Sequence, residues 1–167
     1  MTGAEGTVEA DLVVGLLESQ AQGAEELGTK AANLARLAAS GFPVPDGFVI
    51  TTAACDRILA GPDIPPDIWT KIRAHLDRLG PGPVAVRSSG TAEDLGDASY
   101  AGQYDTVLDV EGPEAVADAI ARCLASASSE QVHAYRGSYA PPQMAVLVQR
   151  MVPAEAAGVA FTANPVT

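Results

Sequence analysis

The sequence predicts a single α+β domain with a mixed or antiparallel sheet and flanking helices, and three observations lead to this fold class. Short apolar runs that suit buried strands alternate with longer stretches whose apolar residues keep helical spacing. Of the 167 residues, 47% are hydrophobic and 19% are charged, which provides enough apolar surface for a core. The chain shows no internal repeat and no low-complexity linker, so we expect one unit and not two domains.

In the first half of the chain, apolar spacing defines the elements and glycine or proline ends them. A polar stretch leads to Gly28, and the apolar residues after it predict a helix that ends at Gly41, a suitable C-terminal cap. Two prolines follow, which stop the helix and predict a turn. The expected elements are a strand at 11–17, a loop at 18–27, a helix at about 29–40, a strand at 48–50 and helices at about 52–60 and 67–79.

In the second half, a short apolar run predicts a buried strand with Arg87 at its end. Residues 88–94 are rich in hydroxyl groups and too polar for a core, so they predict a loop. Pro113 suits the first position of a helix, where its missing N–H would have no helical partner. The expected elements are strands at 84–86, 104–110 and 144–149, helices at 113–124 and up to about 136, and a strand at 158–162 paired antiparallel with 144–149.

Charge and cysteine content exclude several function classes. Ten Lys and Arg oppose 21 Asp and Glu, and the formal charge of −11 disfavours general nucleic-acid binding. Cys55 and Cys123 lie far apart and in no CxxC or Cys/His cluster, so neither a disulfide framework nor a zinc site is indicated. No apolar run approaches the roughly 20 residues of a membrane span, and residues 1–11 lack the basic residues of a secretory signal. We expect a soluble cytoplasmic protein without membrane contact.

Lys30 is the first candidate functional residue. A cation at a helix N-terminus opposes the helix dipole, so a lysine there suggests that an anion such as phosphate binds beside it. A solvated lysine whose side chain bends away is the alternative. The chain has only two lysines against eight arginines, which favours a specific role for this one.

Arg87 is the second candidate. Its guanidinium offers a planar fork of donors to phosphate oxygens, and the small residues after it allow backbone amides to approach a phosphate closely. The segment is not a Walker A motif, because GxxxxGK[ST] is absent. The alternative is a structural ion pair of Arg87 with Glu93 or Asp94.

Residues 146–153 are the third candidate segment, a strand that leads into a short hinge. Backbone groups of Met151 and Val152 could meet a purine edge while apolar side chains cover its faces. An ordinary strand and turn is the alternative, and periodicity alone favours it. The two histidines and the aspartates around residue 100 form no recognisable catalytic or metal-binding pattern, so we expect no metal ligand in this chain.

Three long segments together carry a resemblance to a known family. They read GTKAANLARLAASGFPVPDGFVIT, VAVRSSGTAEDLGDASYAGQYDT and MAVLVQRMVPAEAAGVAFTANPVT. In this order they resemble the N-terminal nucleotide-binding domain of the pyruvate phosphate dikinase and phosphoenolpyruvate synthase family, which includes rifampin phosphotransferase. The resemblance implies the N-terminal part of an ATP-grasp fold, in which ATP lies between two α+β subdomains and phosphoryl groups pass to a histidine on a separate domain.

The resemblance also implies roles for particular residues. Lys30 and Arg87 would hold the ATP phosphates and act in catalysis. The residues implied to line the phosphate side are Gly102, Gln103 and Thr106, and those implied to form the adenine side are Gln149, Met151 and Val152, with Glu155 near the ribose. The cofactors implied are ATP and Mg²⁺, whose ligands are expected outside this chain.

The chain also departs from the family pattern. Where the family usually has GGKG around the lysine, this sequence has GTKA at residues 28–31, and the helical stretch before Pro83 is short. The resemblance implies that residues 1–167 form one partial domain, without the second ATP-grasp half and the phosphohistidine domain. Three interpretations stay open: a part of a phosphotransferase completed by a second polypeptide or a missing C-terminal segment, a non-catalytic nucleotide-binding or partner-binding module, and a degenerate remnant. The final phosphoryl acceptor, pyruvate or a rifamycin-like antibiotic among others, also stays open.

Overall fold

A computed structural model of the chain describes residues 11–19, 22–91, 106–134 and 143–158, except for the side chains of 127–134. Five strands and four helices lie in these ranges. The strands are β1 (Val13–Gly15), β2 (Gly47–Ile50), β3 (Val84–Gly90), β4 (Thr106–Val110) and β5 (Met144–Arg150), and the helices are α1 (Ala24–Ala39), α2 (Thr52–Leu59), α3 (Pro66–Leu79) and α4 (Pro113–Ala134).

The five strands form one antiparallel sheet in the order β1-β2-β5-β3-β4. Helix α1 covers one face, where its small residues Ala31, Ala32 and Ala35 pack on Val49 and Leu147. Helices α2, α3 and α4 cover the other face with a larger apolar core. The α+β class is confirmed, and the sheet is of the antiparallel kind.

Strand β3 is longer than the sequence predicts. Ser88, Ser89 and Gly90 were expected in a loop, yet they continue the strand and pair with residues 144–146 of β5. Both serines are completely buried. Their small size allows this burial between two neighbouring strands. The Ser89 hydroxyl, one of the groups that predict a loop, accepts a hydrogen bond from the backbone N–H of Ala31.

Helix α1 begins earlier than predicted and contains a break. Four residues form its first turn before Gly28, whose φ of 71° and ψ of 160° are not helical. The helix then resumes through Lys30 and ends as predicted at Gly41, which has a φ of 84°. The N–H groups of Gly41 and Phe42 donate to carbonyls of the last turn, the pattern of a Schellman cap.

Two predictions for the second half are wrong. Helix α4 is a single helix of 22 residues, where two shorter ones were expected, and Arg136 lies outside the described residues. Strand β5 has β2 on one edge and β3 on the other, so neither edge can take 158–162 as a hairpin partner. Gly158 is described and is not in a strand, whereas 159–162 lie outside the described residues. Among the helices of the described chain, none has the length and apolar content needed to cross a membrane.

Candidate functional site

Lys30 lies at the start of the second segment of α1, two residues after the break at Gly28. Its Nζ donates a hydrogen bond of 2.6 Å to the carbonyl oxygen of Ser88. The alternative of a solvated lysine that bends away is therefore wrong. The ammonium group is instead held against β3, at the residue that follows Arg87.

The turn that carries Lys30 packs directly on β3. The backbone N–H of Ala31 donates to Ser89 Oγ at 3.1 Å. A Cβ atom added to Gly28 would lie 2.0 Å from the carbonyl oxygen of Ser89, far inside van der Waals contact. Only glycine permits this approach, and its positive φ of 71° is a second reason for glycine at this position.

Arg87 lies on the same side of the sheet as Lys30. It is paired with Leu147 of β5, and Leu147 belongs to the apolar cluster under α1. Because directly opposed residues of antiparallel strands share a face, the Arg87 side chain also projects on the α1 side. The fold thus places Lys30 and Arg87 on one face of the sheet, through a strand-to-helix contact that spacing alone does not reveal.

Arg87 is partly buried, and no described residue forms an ion pair or a side-chain hydrogen bond with its guanidinium. Glu93 and Asp94, the partners in the alternative hypothesis, lie outside the described residues. Among the described residues no carboxylate balances this partly buried cation, and such a position suits an anionic ligand.

Thr106 is placed beside Arg87. It is the residue of β4 directly opposite Arg87 and is exposed, so its hydroxyl shares the face of the sheet that carries the guanidinium. Gly102 and Gln103, the other residues implied for the phosphate side, lie outside the described residues.

The residues implied for the adenine side lie at the end of β5 and just after it. Gln149 is buried, and its Nε2 donates to the Pro45 carbonyl at 2.9 Å. The Met151 N–H donates to the Pro83 carbonyl at 3.0 Å and thereby extends the β3–β5 ladder. The Gln149 amide nitrogen and the Met151 N–H are thus committed to the fold, whereas Val152 and Glu155 are exposed. The roles of all four residues stay predictions.

Sequence reasoning missed a group of polar residues that ties the open end of β3 to its neighbours. Thr91 exchanges two hydrogen bonds with Gln143, and the Gln143 side chain donates to Asp56 Oδ2 at 3.1 Å. Thr29 Oγ1 also donates to the Thr91 carbonyl, at 3.5 Å. The departure from GGKG to GTKA therefore adds a contact between the lysine turn and the end of β3.

A groove lies away from these residues. It has a volume of about 360 Å³ and lies between the end of α3 and the start of α4. Its apolar lining residues Leu79, Val84, Val110 and Val116 belong to the core on the opposite face from α1. Within the described ranges, no three His, Cys, Asp or Glu side chains are grouped as a metal site.

Comparison with known proteins identifies the family. The model of the pyruvate phosphate dikinase AMP/ATP-binding domain matches residues 58–167, about two thirds of the chain. The chain belongs to this family. The matched region contains Arg87, Thr106 and Gln149, and the resemblance inferred from the three segments is confirmed.

Relatives of the pyruvate phosphate dikinase family match nearly the whole chain. A probable phosphoenolpyruvate synthase of Methanothermobacter thermautotrophicus is 37% identical over 84% of this chain and 27% of its own length. A rifampicin phosphotransferase of Streptomyces is 36% identical over 93% of this chain and 23% of its own length. The prodigiosin synthesizing transferase PigC of Serratia marcescens is 38% identical over 93% of this chain and 20% of its own length. The chain thus spans about a quarter of the length of these curated relatives.

Proposed function

We propose that this chain binds ATP on the α1 side of the β3–β4 edge and serves as the nucleotide-binding part of a dikinase-type phosphotransferase. The observation that carries the proposal is Arg87: a partly buried residue whose guanidinium has no described counter-charge, on the face where Lys30 contacts β3. The family's AMP/ATP-binding domain supports a nucleotide as the anion that completes this site.

The donors on this face suit the oxygens of a polyphosphate. Arg87 presents a fork of N–H donors, Lys30 adds a second cation close to the same strand, and the Thr106 hydroxyl lies opposite Arg87. The Ser88 carbonyl accepts a hydrogen bond from Lys30 Nζ and keeps the ammonium near the strand. We propose that Gly102 and Gln103 complete the phosphate side.

The adenine is proposed to lie against the end of β5. Val152 is 57% exposed, and the Val152 N–H donates to no residue in the described part of the chain, so it can meet a purine edge. Met151 would shape this side through its backbone, since its N–H is used within the fold, and Gln149 through a side chain anchored to the Pro45 carbonyl. Glu155 is proposed to reach the ribose.

Mg²⁺ would neutralise charge on the phosphates and orient them for transfer. The described donors on this face are two cations and a hydroxyl, which suit phosphate and not a hard cation that prefers carboxylate oxygens. Ligands for Mg²⁺ are therefore proposed to come from another part of the protein or another chain.

The remaining parts of the reaction are proposed to lie outside residues 1–167. The curated relatives are about four times as long as the chain, which supports the hypothesis that 1–167 is one partial ATP-grasp domain. A second half would close the cleft, and a histidine on another domain or chain would accept the phosphoryl group. A small molecule, pyruvate or a rifamycin-like antibiotic, would then receive it.

Calorimetric titration with ATP and Mg²⁺ tests the proposed site. We expect weak binding by the isolated chain and a loss of at least about tenfold in Arg87→Ala, the effect of one hydrogen bond to a charged group. Arg122→Ala is the matched control, because Arg122 is exposed on α4 on the opposite face of the sheet, and it should bind ATP like the parent. Equal ATP affinity of the parent and Arg87→Ala would contradict the proposed site.

A further inference from the structure

We propose that Ser89 is a positioning residue for Lys30: it caps the lysine turn of α1 from the neighbouring strand and thereby sets where the ammonium meets the phosphates. The inference rests on the proposed function, since it concerns the geometry of the same site. It assigns no contact between Ser89 and the nucleotide, because the Ser89 side chain is completely buried.

The break at Gly28 creates the need for such a cap. A helix that resumes after a non-helical residue begins with backbone N–H groups that lack helical acceptors. The residue at the break usually supplies an acceptor from its own side chain to the N–H two or three positions later. Gly28 has no side chain, and Ser89 Oγ accepts from the N–H of Ala31, three residues after Gly28.

The cap is fixed in space because the two backbones touch. A Cβ on Gly28 would lie 2.0 Å from the Ser89 carbonyl oxygen and 2.4 Å from Ser89 Oγ. Ala31 and Ser89 are both buried, so water cannot replace the Ser89 hydroxyl if the helix turns or slides. The lysine turn therefore has one well-defined position on β3.

Lys30 lies between the two contacts that this arrangement makes. Its own side chain reaches the Ser88 carbonyl, and the N–H of the next residue is held by Ser89. Two adjacent residues of β3 thus hold the side chain and the backbone of the lysine turn. Loss of the Ser89 hydroxyl frees the backbone and widens the range of positions open to the ammonium, so fewer of them match a phosphate oxygen.

A double-mutant cycle tests the assignment. ATP affinity is measured for the parent, Ser89→Ala, Lys30→Ala and the double variant, and near-UV circular dichroism checks that each is folded. We expect Ser89→Ala to lower the ATP affinity about tenfold in the parent background. In the Lys30→Ala background it should have no further effect, because Ser89 acts through Lys30. Ser40→Ala is the control: it removes an exposed hydroxyl that donates to Arg36 at the far end of the same helix.

The outcomes separate this inference from the proposed function. If Lys30→Ala and Arg87→Ala lower the ATP affinity while Ser89→Ala binds ATP like the parent, the role of Ser89 is overturned and the proposed site stands. An equal effect of Ser89→Ala in both backgrounds would also overturn it, because a purely structural role does not depend on Lys30. A parent chain that binds no ATP would overturn both. If Ser89→Ala does not fold, Ser89→Cys, which fills the site with a slightly larger side chain and a weak acceptor, replaces it in the cycle.

Discussion

Substitution of Gly28 by alanine tests the contact that places Lys30. The new Cβ would lie 2.0 Å from the Ser89 carbonyl oxygen, where an unstrained contact is about 3.5 Å, and the residue would keep a φ of 71°. A positive φ combined with a ψ of 160° costs an alanine about 1–3 kcal/mol, and overpacking of a close contact costs about 1–3 kcal/mol more. We expect Gly28→Ala to lower the free energy of unfolding by about 2–6 kcal/mol in urea denaturation.

Gly41→Ala is the matched control for this experiment. Gly41 lies at the other end of α1 and also has a positive φ, 84°, but a Cβ there would meet no atom within 4 Å. Its substitution should cost only the conformational strain, about 1–2 kcal/mol. The difference between the two variants reports the approach of α1 to β3 together with the less favourable ψ of Gly28. Equal losses for Gly28→Ala and Gly41→Ala would refute the close packing of the lysine turn.

Three further predictions concern stability and pH. Burial, with a smaller effect of the Arg78 charge, lowers the pKa of His75. The neutral imidazole therefore contributes stability above about pH 6.5, and this contribution is lost as the pH falls through the folded pKa. In urea unfolding, the loss of stability from about pH 7.5 to about pH 5 should be smaller in His75→Gln than in the parent. Burial, followed by the Asp56 charge, raises the pKa of the Cys55 thiol. The free energy of unfolding should therefore decline as the pH rises above about 8.5, where the thiol of the unfolded chain ionises. Iodoacetamide at about pH 8 should label Cys55 only in denaturant. Gln149→Leu should destabilise the chain by about 1–3 kcal/mol in urea, because the Pro45 carbonyl loses its buried donor.

The elements predicted best from the sequence are those in which apolar periodicity and burial agree. Helix α3 was expected at 67–79 and begins at Pro66, since Ile68, Ile72 and Leu79 face the core at helical spacing. Strand β2 was equally clear, because its four residues are all buried and a turn with two prolines precedes it. Such elements depend on burial, which the sequence pattern encodes directly.

The errors occur where a tertiary contact determines the local structure. Ser88 and Ser89 are polar enough to predict a loop, and only the strands on either side of β3 explain their burial. The sequence pattern predicts a helix that begins just after Gly28, because it does not reveal that Ser89 packs on this glycine. Glu25 and Glu26, which favour a helix N-terminus, were the available signal for the earlier start of α1.

The candidate site was predicted in part. Lys30 and Arg87 were selected for their charge and for their neighbours in sequence, and the fold brings their segments together. The commitment of the Gln149 side chain to Pro45 was not predictable, because it depends on a loop more than a hundred residues away in sequence. Long-range hydrogen bonds of this kind leave no periodic signal in a single sequence.

Amide chemical-shift mapping during titration with ATP and Mg²⁺ tests most directly whether the nucleotide binds on the α1 side of the sheet. We predict that the largest changes fall on Lys30, Arg87 and Thr106, with changes near zero at Gly80 and Gly112 in the groove on the opposite face. Changes concentrated at Gly80 and Gly112, with those of Lys30 and Arg87 unaffected at saturation, would contradict the account.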